Sequence, residues 1–258
     1  MYVEYTALAA PSHPSASALC GLQLVHWQVL VRIDIVTLFP EVFGPLMSSI
    51  PAKAQDIGAL QLHLQWLRRW GVGAQRQVDD GPFGGGPGMI LKPEPFFACL
   101  DEIVAGAESR PRVLYPTPAG TPFTQDIARR LAEHSHLIFL CGHYEGIDER
   151  VVEHWVDEEL SLGDYVLSSG ELASMVMADA IIRLLPGVIK EESYQQDSFY
   201  QGGLDHPHYT KPASYRGLEV PEVLLSGHHK KIQAWQEEQR QMRTRTRRPD
   251  LATREQGI

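Results

Sequence analysis

The sequence predicts an α/β domain built on a mostly parallel sheet, and three observations carry that reading. Strand-like and helix-like patterns alternate along most of the chain, as they do when parallel strands are joined by helical crossovers. Two loops edged by glycine follow consecutive apolar strands, at residues 137–142 and 162–170. Glycine at a strand end lets a ligand approach the backbone, so these loops suggest a pocket at the carboxyl ends of the strands. Finally, 258 residues with 43% hydrophobic content can bury a substantial core, as one large or two modest domains.

Residues 32–39 form an apolar, β-rich run that Pro40 ends. A short amphipathic helix is predicted over 41–50, with Pro51 as its stop. Leu60, Leu62, Leu64 and Trp66 alternate with Gln61, His63 and Gln65, the period of a half-buried strand. Trp66 is read as core rather than as a base-stacking platform. Residues 76–89 follow, with five glycines in the eight residues 81–88 and two prolines among them, which excludes helix and regular strand. The stretch lacks the Lys-Ser/Thr ending of a nucleotide P-loop and the spacing of a dinucleotide fingerprint. Because it carries Phe83 and Met89 and little serine, it reads as a shaped loop rather than a flexible linker.

Lys92-Pro93 leads into a helix predicted over 94–105, and a strand over 112–115 is closed by the turn Pro116-Thr117-Pro118-Ala119-Gly120. Thr124 is placed as the cap of a helix over 125–134, and Leu137 begins the central strand. Gly163 and Gly170 bracket a tight loop, after which Glu171 opens a helical run to Leu185, ended by Pro186-Gly187. Residues 189–203 are polar and acidic with little periodicity, the profile of a linker, and the domain boundary is placed there. Residues 205–221 are loop-like, and Ser226 is the candidate N-cap of a helix over 228–243.

The net charge of −9 is unevenly spread. From Ser226 onward there are eight basic and four acidic residues, a net of +4, so residues 1–225 carry −13. Phosphate contacts need a local positive face rather than a positive total, so the C-terminal part permits RNA binding. A solvated basic helix end accounts for the same charges. Three cysteines (Cys20, Cys99, Cys141) form no CxxC pair, which fits thiols in a reducing cytosol. The first ten residues carry Glu4 and no Lys or Arg, unlike a signal peptide, and the run 16–31 is too short and too interrupted to span a bilayer. His206-Pro-His208, His228-His229 and Cys141 with His143 look ligand-like but lack the spacing of a structural zinc motif, so they are read as solvent or core residues and no metal site is assigned.

Seven stretches occur in order: DGPFGGGPGM from Asp80, CGHYEGIDERV from Cys141, SLGDYVLSSGEL from Ser161, RLLPGV from Arg183, DSF from Asp197, DHPHYTKP from Asp205 and VPEVLLSGHH from Val220. Together they resemble the bacterial tRNA (guanine-37-N1)-methyltransferase (TrmD) family of SPOUT knotted methyltransferases, over about residues 32–251. The resemblance implies a deep trefoil knot toward the C-terminal end of the sheet domain. It also implies a small helical C-terminal domain and a cytoplasmic homodimer whose active site forms between one subunit's knot and its partner's C-terminal domain. The substrates it implies are S-adenosyl-L-methionine and tRNA, with N1 of guanosine 37 as methyl acceptor and with Mg2+ as a possible helper for which no dedicated site is visible. Residues 1–31 are then an extension, expected to be disordered or a mis-assigned start; 32–188 form the catalytic domain, 189–203 the linker and 204–258 the tRNA-binding domain.

The chemistry implied is specific. At neutral pH guanine N1 carries a proton, so methylation there needs a general base near N1 and a group to hold the charge developing on O6. Taken alone, Asp197 is a solvated turn residue and Arg183 complements the dipole of a helix end. By resemblance Asp197 becomes the base and Arg183 the contact to the target guanine, and the glycine-rich loop becomes a wall near that base. The resemblance seats the methyl donor against Tyr115 and Pro116, against Gly142, Tyr144 and Glu145, and against Leu162, Gly163, Asp164, Tyr165, Val166, Leu167 and Gly170. Glu145 is either an acceptor for ribose hydroxyls or half of an ion pair. Backbone groups of Leu162, Tyr165 and Leu167 are the expected adenine readers. Three departures stand out: the family usually has arginine at His143, glycine at Ser169 and proline at Ala173. If Ser169 needed a positive φ, its side chain would cost on the order of a kcal/mol. Two other readings stand beside the leading one: an RNA-binding protein without activity that kept the knotted fold while Ser169 weakened the cofactor pocket, or a knotted methyltransferase acting on another RNA.

Overall fold

A computed structural model describes residues 30–200 and 202–254. The extension expected at residues 1–31 therefore lies outside the described residues, except for Leu30 and Val31. The strands are β1 (Val31–Thr37), β2 (Leu60–Trp66), β3 (Asp79–Asp80), β4 (Ile90–Leu91), β5 (Arg112–Pro122), β6 (His136–Leu140), β7 (Glu158–Ser161), β8 (Ser214–Tyr215) and β9 (Leu218–Glu219). The helices are α1 (Ser49–Asp56), α2 (Pro93–Ala105), α3 (Gln125–Ala132), α4 (Glu149–Trp155), α5 (Gly170–Ile182), α6 (Glu191–Tyr194), α7 (Glu222–Leu225), α8 (His229–Arg247) and α9 (Pro249–Arg254).

Five strands form one sheet in the order β2-β1-β6-β5-β7, and every pairing is parallel. A parallel sheet must be covered on both faces, and the period-2 alternation of the strands shows how. Ile33, Ile35, Leu137, Phe139 and Cys141 face one core, shared with Met177, Ala178 and Ile181 of α5. Val36, Leu38, Ile138 and Leu140 face a second core with Phe96, Cys99 and Leu100 of α2 and Val151 of α4. Both described thiols, Cys99 and Cys141, are buried in these cores, and burial pushes both up in pKa.

One polar network interrupts the second layer. Asp34 is fully buried and its carboxylate accepts from the Arg32 guanidinium (2.7 and 3.1 Å) and from Gln65 Nε2 (2.6 Å), and lies 2.7 Å from His136 Nε2.

Several local expectations need correction. The segment predicted as a helix over 41–50 is a 3-10 turn from Pro40 to Met47, and α1 begins after it. Pro51 does not stop the chain's helicity. It lies in the first turn of α1, where a missing N–H leaves no intrahelical bond unmade. The turn predicted at 116–120 lies inside the long strand β5, as a register shift between Pro116 and Thr121 against β7. Gly120 makes that shift possible: a Cβ there would fall 2.3 Å from the Leu160 amide nitrogen. Ser226 follows α7, and His228 takes the N-cap position of α8 while donating its N–H to Ser226 Oγ at 3.2 Å. Helices α4, α6, α7 and α9 have no counterpart among the elements the sequence predicts. Thr124 does cap α3, accepting from Ile127 N at 3.4 Å.

Candidate active site

The register-shifted middle of β5 and the loops that follow β6 and β7 line a cavity of about 290 Å3. The first wall is Tyr115 to Pro118, the second Gly142 to Gly146, the third Leu160 to Gly170, with Ala173 behind it. Of the residues expected to hold the methyl donor, Asp164 is exposed and does not line the cavity; all the others do. Thr117, Ser168, Ser169 and Ala173 also line it, although the resemblance assigns them no part in holding the donor; all three departures from the family pattern, His143, Ser169 and Ala173, are in the lining.

Glycine sets the closeness of the walls. The Gly170 N–H donates to the Gly142 carbonyl at 2.7 Å, which ties the third loop to the second. A Cβ at Gly170 would sit 2.7 Å from Gly142 N and 3.1 Å from Cys141 Cα, so no side chain fits without parting the loops. At Gly142 a Cβ would come 3.1 Å from the Tyr115 hydroxyl, so the Tyr115 side chain packs closely on the second loop, though through a side chain rather than the main chain. Tyr115 is nearly buried, and that burial raises its phenol pKa against a hydrogen bond with the Ile147 backbone.

The glycine-rich loop 81–89 hangs from the antiparallel pair β3–β4. Its far end is stitched to the second wall by Glu145 N–H donating to Met89 O (3.0 Å) and Leu91 N–H donating to Gly146 O (3.0 Å). Gly88, at φ +91°, lies where a Cβ would strike Glu145 Oε1 at 2.5 Å. Phe83, at the loop's outer turn, is wholly exposed.

Ser169 is extended (φ −166°, ψ 165°), a conformation any residue adopts, so the strain considered for it does not arise. His143 lies between Phe39 and Tyr144, with ring centroids 5.2 and 4.5 Å away, and its buried Nδ1 has no hydrogen-bond partner. Beneath the third loop, Glu171 is buried and accepts from Thr37 Oγ1 at 2.8 Å, a pairing across 134 residues that no local pattern announces.

Arg183 and Asp197 are brought together, but away from this cavity. Their ion pair measures 2.7 Å and both side chains are about two-fifths exposed. Arg183 caps the carboxyl end of α5, whose amino end at Gly170 lines the cavity. At about 1.5 Å per residue, the 13-residue helix separates the two ends by roughly 20 Å. The segment that carries Asp197 is held to the body by Arg129, which donates to the Tyr200 carbonyl and stacks over the Tyr200 ring at 4.2 Å.

On the surface, Leu172 and Val176 lie four residues apart on one face of α5 and are 44% and 53% exposed. Val42 and Met47, on the 3-10 segment that packs against α5, are also exposed. Among the described residues, no helix is long and apolar enough to cross a membrane.

The family model described as tRNA (Guanine-1)-methyltransferase TrmD matches residues 31–254. Three relatives, each bearing the name tRNA (guanine-N(1)-)-methyltransferase, are similar over most of their length. The protein of Macrococcus caseolyticus is 52% identical over 221 residues, 86% of this chain and 91% of its own. That of Frankia casuarinae is 53% identical over 223 residues, 86% and 83% of the two chains. That of Bacillus subtilis is 51% identical over 223 residues, 86% and 92%.

Proposed function

From the premise that this chain belongs to the tRNA (guanine-1)-methyltransferase TrmD family, we propose that it methylates N1 of guanosine 37, beside the anticodon, in a site completed by two copies of the chain. The enzyme class and the acceptor atom, N1 of a guanine in tRNA, follow from the family and its relatives. The observation that carries the finer reading is the separation just described: a glycine-walled cavity at one end of α5 and an acid–arginine pair at the other.

The cavity fits S-adenosyl-L-methionine, the donor that a methyltransferase of this family implies. Its volume is at the lower edge of the usual range for ligand pockets, and it presents backbone groups at contacts too close for any Cβ. When bound, the donor supplies an electrophilic methyl on sulfur. Backbone N–H and C=O groups of Leu162, Tyr165 and Leu167 read its adenine, and Glu145 accepts from its ribose hydroxyls. The third loop lies against both others, at Gly170 on Gly142 and at Leu160 on Gly120, which supports a trefoil knot in this region.

Asp197 takes the proton from N1, and the carboxylate is suited to it because it is half exposed and free to exchange its arginine for a base edge. Arg183 meets the developing charge on O6 with the donors it now spends on Asp197. Since one chain places this pair roughly 20 Å from its own cavity, the pair serves the cavity of a second copy. The exposed apolar stripe of Leu172 and Val176 on the same helix supports a self-complementary contact there. In the same reading 32–188 is the catalytic unit, 189–203 the linker and 204–258 the tRNA-binding unit, with its +4 tail toward phosphate. The setting is the cytoplasm, where tRNA is found. If Mg2+ takes part, it arrives on tRNA phosphates, since among the described residues the one group of three His, Cys or carboxylate side chains with ligand atoms close together lies at 205–208 and not at the cavity.

Primer extension on a tRNA transcript tests the acceptor. The expected result is a stop at position 37 that needs both protein and donor and vanishes when G37 is replaced. A stop elsewhere, or on another RNA alone, would overturn the assignment of position. The extended backbone of Ser169 removes the strain on which a reading without activity rested.

A further inference from the structure

Asp205, His206 and His208 converge although they lie within one tight turn. One ligand atom from each falls within 4.8 Å of the others. His208 Nε2 is 2.8 Å from Asp205 Oδ2, and the two imidazole rings are 4.4 Å apart. His206 is buried, and its Nδ1 lies 3.2 Å from the Pro207 carbonyl, a distance at which Nδ1–H donates to it. That bond selects the tautomer with a lone pair on Nε2, the arrangement by which proteins orient a metal-ligating histidine. The rest of Asp205 is already anchored: Oδ1 accepts from the His206 N–H (2.6 Å) and pairs with Arg240 (2.9 Å), and its own N–H donates to Ser198 Oγ (2.9 Å).

We propose that Asp205, His206 and His208 form a binding site for a borderline divalent cation, Zn2+ in the first instance. Two imidazole nitrogens and one carboxylate oxygen suit Zn2+ and not Mg2+, and they leave a fourth position for water. Binding shifts the hydrogen of the bridge between His208 Nε2 and Asp205 Oδ2: the neutral imidazole takes the tautomer with its hydrogen on Nδ1, and the cation sits between the freed Nε2 and Oδ2. Arg240, with Arg243 donating to the Asp205 carbonyl at 3.2 Å, opposes a second positive charge here, so the affinity belongs in the micromolar range and not at that of a closed structural site. An occupied site would also stiffen the turn that holds Ser198, the neighbour of Asp197. That consequence for turnover rests on the role given to Asp197 above, whereas metal binding does not.

The test uses the full chain, stripped with chelator and titrated with Zn2+ in a calorimeter, then with Co2+ in a spectrophotometer. His208 is exposed, so His208→Ala removes a ligand without opening the core; His229→Ala, an exposed histidine outside the cluster, is the control. The expected result is one Zn2+ per chain, weakened at least ~10-fold by His208→Ala and unchanged by His229→Ala. The visible bands of low-coordinate Co2+ should likewise be lost only in His208→Ala. Equal affinity in the wild type and His208→Ala, or only octahedral Co2+ in the wild type, would reduce the cluster to an ion pair and overturn the proposal. Loss of methylation in Asp197→Ala with Zn2+ binding intact would separate the two readings.

Discussion

Gly170→Ala is the perturbation that asks most directly whether the cavity depends on backbone-to-backbone contact. The added methyl would meet Gly142 N at 2.7 Å and Cys141 Cα at 3.1 Å, both main-chain atoms that cannot rotate away. Bringing these to ordinary contact at about 3.5 Å requires the third loop to retreat by roughly 0.8 Å. Such a movement also stretches the 2.7 Å bond from Gly170 N to Gly142 O. Overpacking of this kind costs about 1–3 kcal/mol, or a factor of about 5 to 150 if it all falls on ligand binding. No backbone strain adds to this clash, since φ at Gly170 is not positive. Calorimetric titration with S-adenosylmethionine gives the binding share, and urea unfolding of the same samples gives the stability share. A variant with wild-type affinity and wild-type unfolding would refute the claim that these two loops are clamped at van der Waals limit.

Three further outcomes follow from particular contacts. Burial raises the Asp34 pKa, but hydrogen bonds from His136, Arg32 and Gln65 outweigh it and hold the carboxyl at about 2 against an ordinary 3.8. The ionised form is thus favoured by folding: the stabilisation is fully present above pH 3.8 and is lost as pH falls through 2, and at 1.36 kcal/mol per unit it amounts to about 2 kcal/mol. Asp34→Asn should flatten the fall of unfolding free energy over that window, and an unchanged slope would count against the network. Asp197→Ala should abolish methylation, by at least ~100-fold in kcat, with unfolding unchanged; near-normal turnover would remove the base. Ser169→Gly, which restores the residue usual in the family, should leave donor affinity within about threefold because Ser169 is extended; a large gain in affinity would mean that the loop takes another conformation when loaded.

What the sequence made legible was whatever a local period or a glycine could announce. β6 and the two glycine-edged loops are readable because burial on both faces demands a continuous apolar run and because close approach demands a missing Cβ. Pro51 and Pro116 misled because a proline's meaning depends on its neighbours: the first sits where no amide bond is needed, and the second within a strand whose partner tolerates a shift. Contacts between distant residues left no local trace. Thr37 meets Glu171 and Asp34 meets His136 only once the sheet is assembled. His206 and His208 lack the spacing of a structural zinc motif, and Asp205 beside them carries no ligand signal of its own until one turn brings all three together. The pair of Arg183 and Asp197 could be named by resemblance, but its distance from the cavity is set by the length of α5 and by the linker's path.

The account turns on a site shared between two chains, and a mixed dimer tests that arrangement most directly. Asp197→Ala and Gly170→Val, each inactive alone, would be co-expressed with different tags and the heterodimer isolated by two affinity steps. In a symmetric pair that exchanges its acids, one of the two sites then has an intact cavity and an intact Asp197, so about half of wild-type methylation should return. A heterodimer as inactive as its parents would place Asp197 and the cavity in the same chain's site, or apart altogether, and would contradict the mechanism.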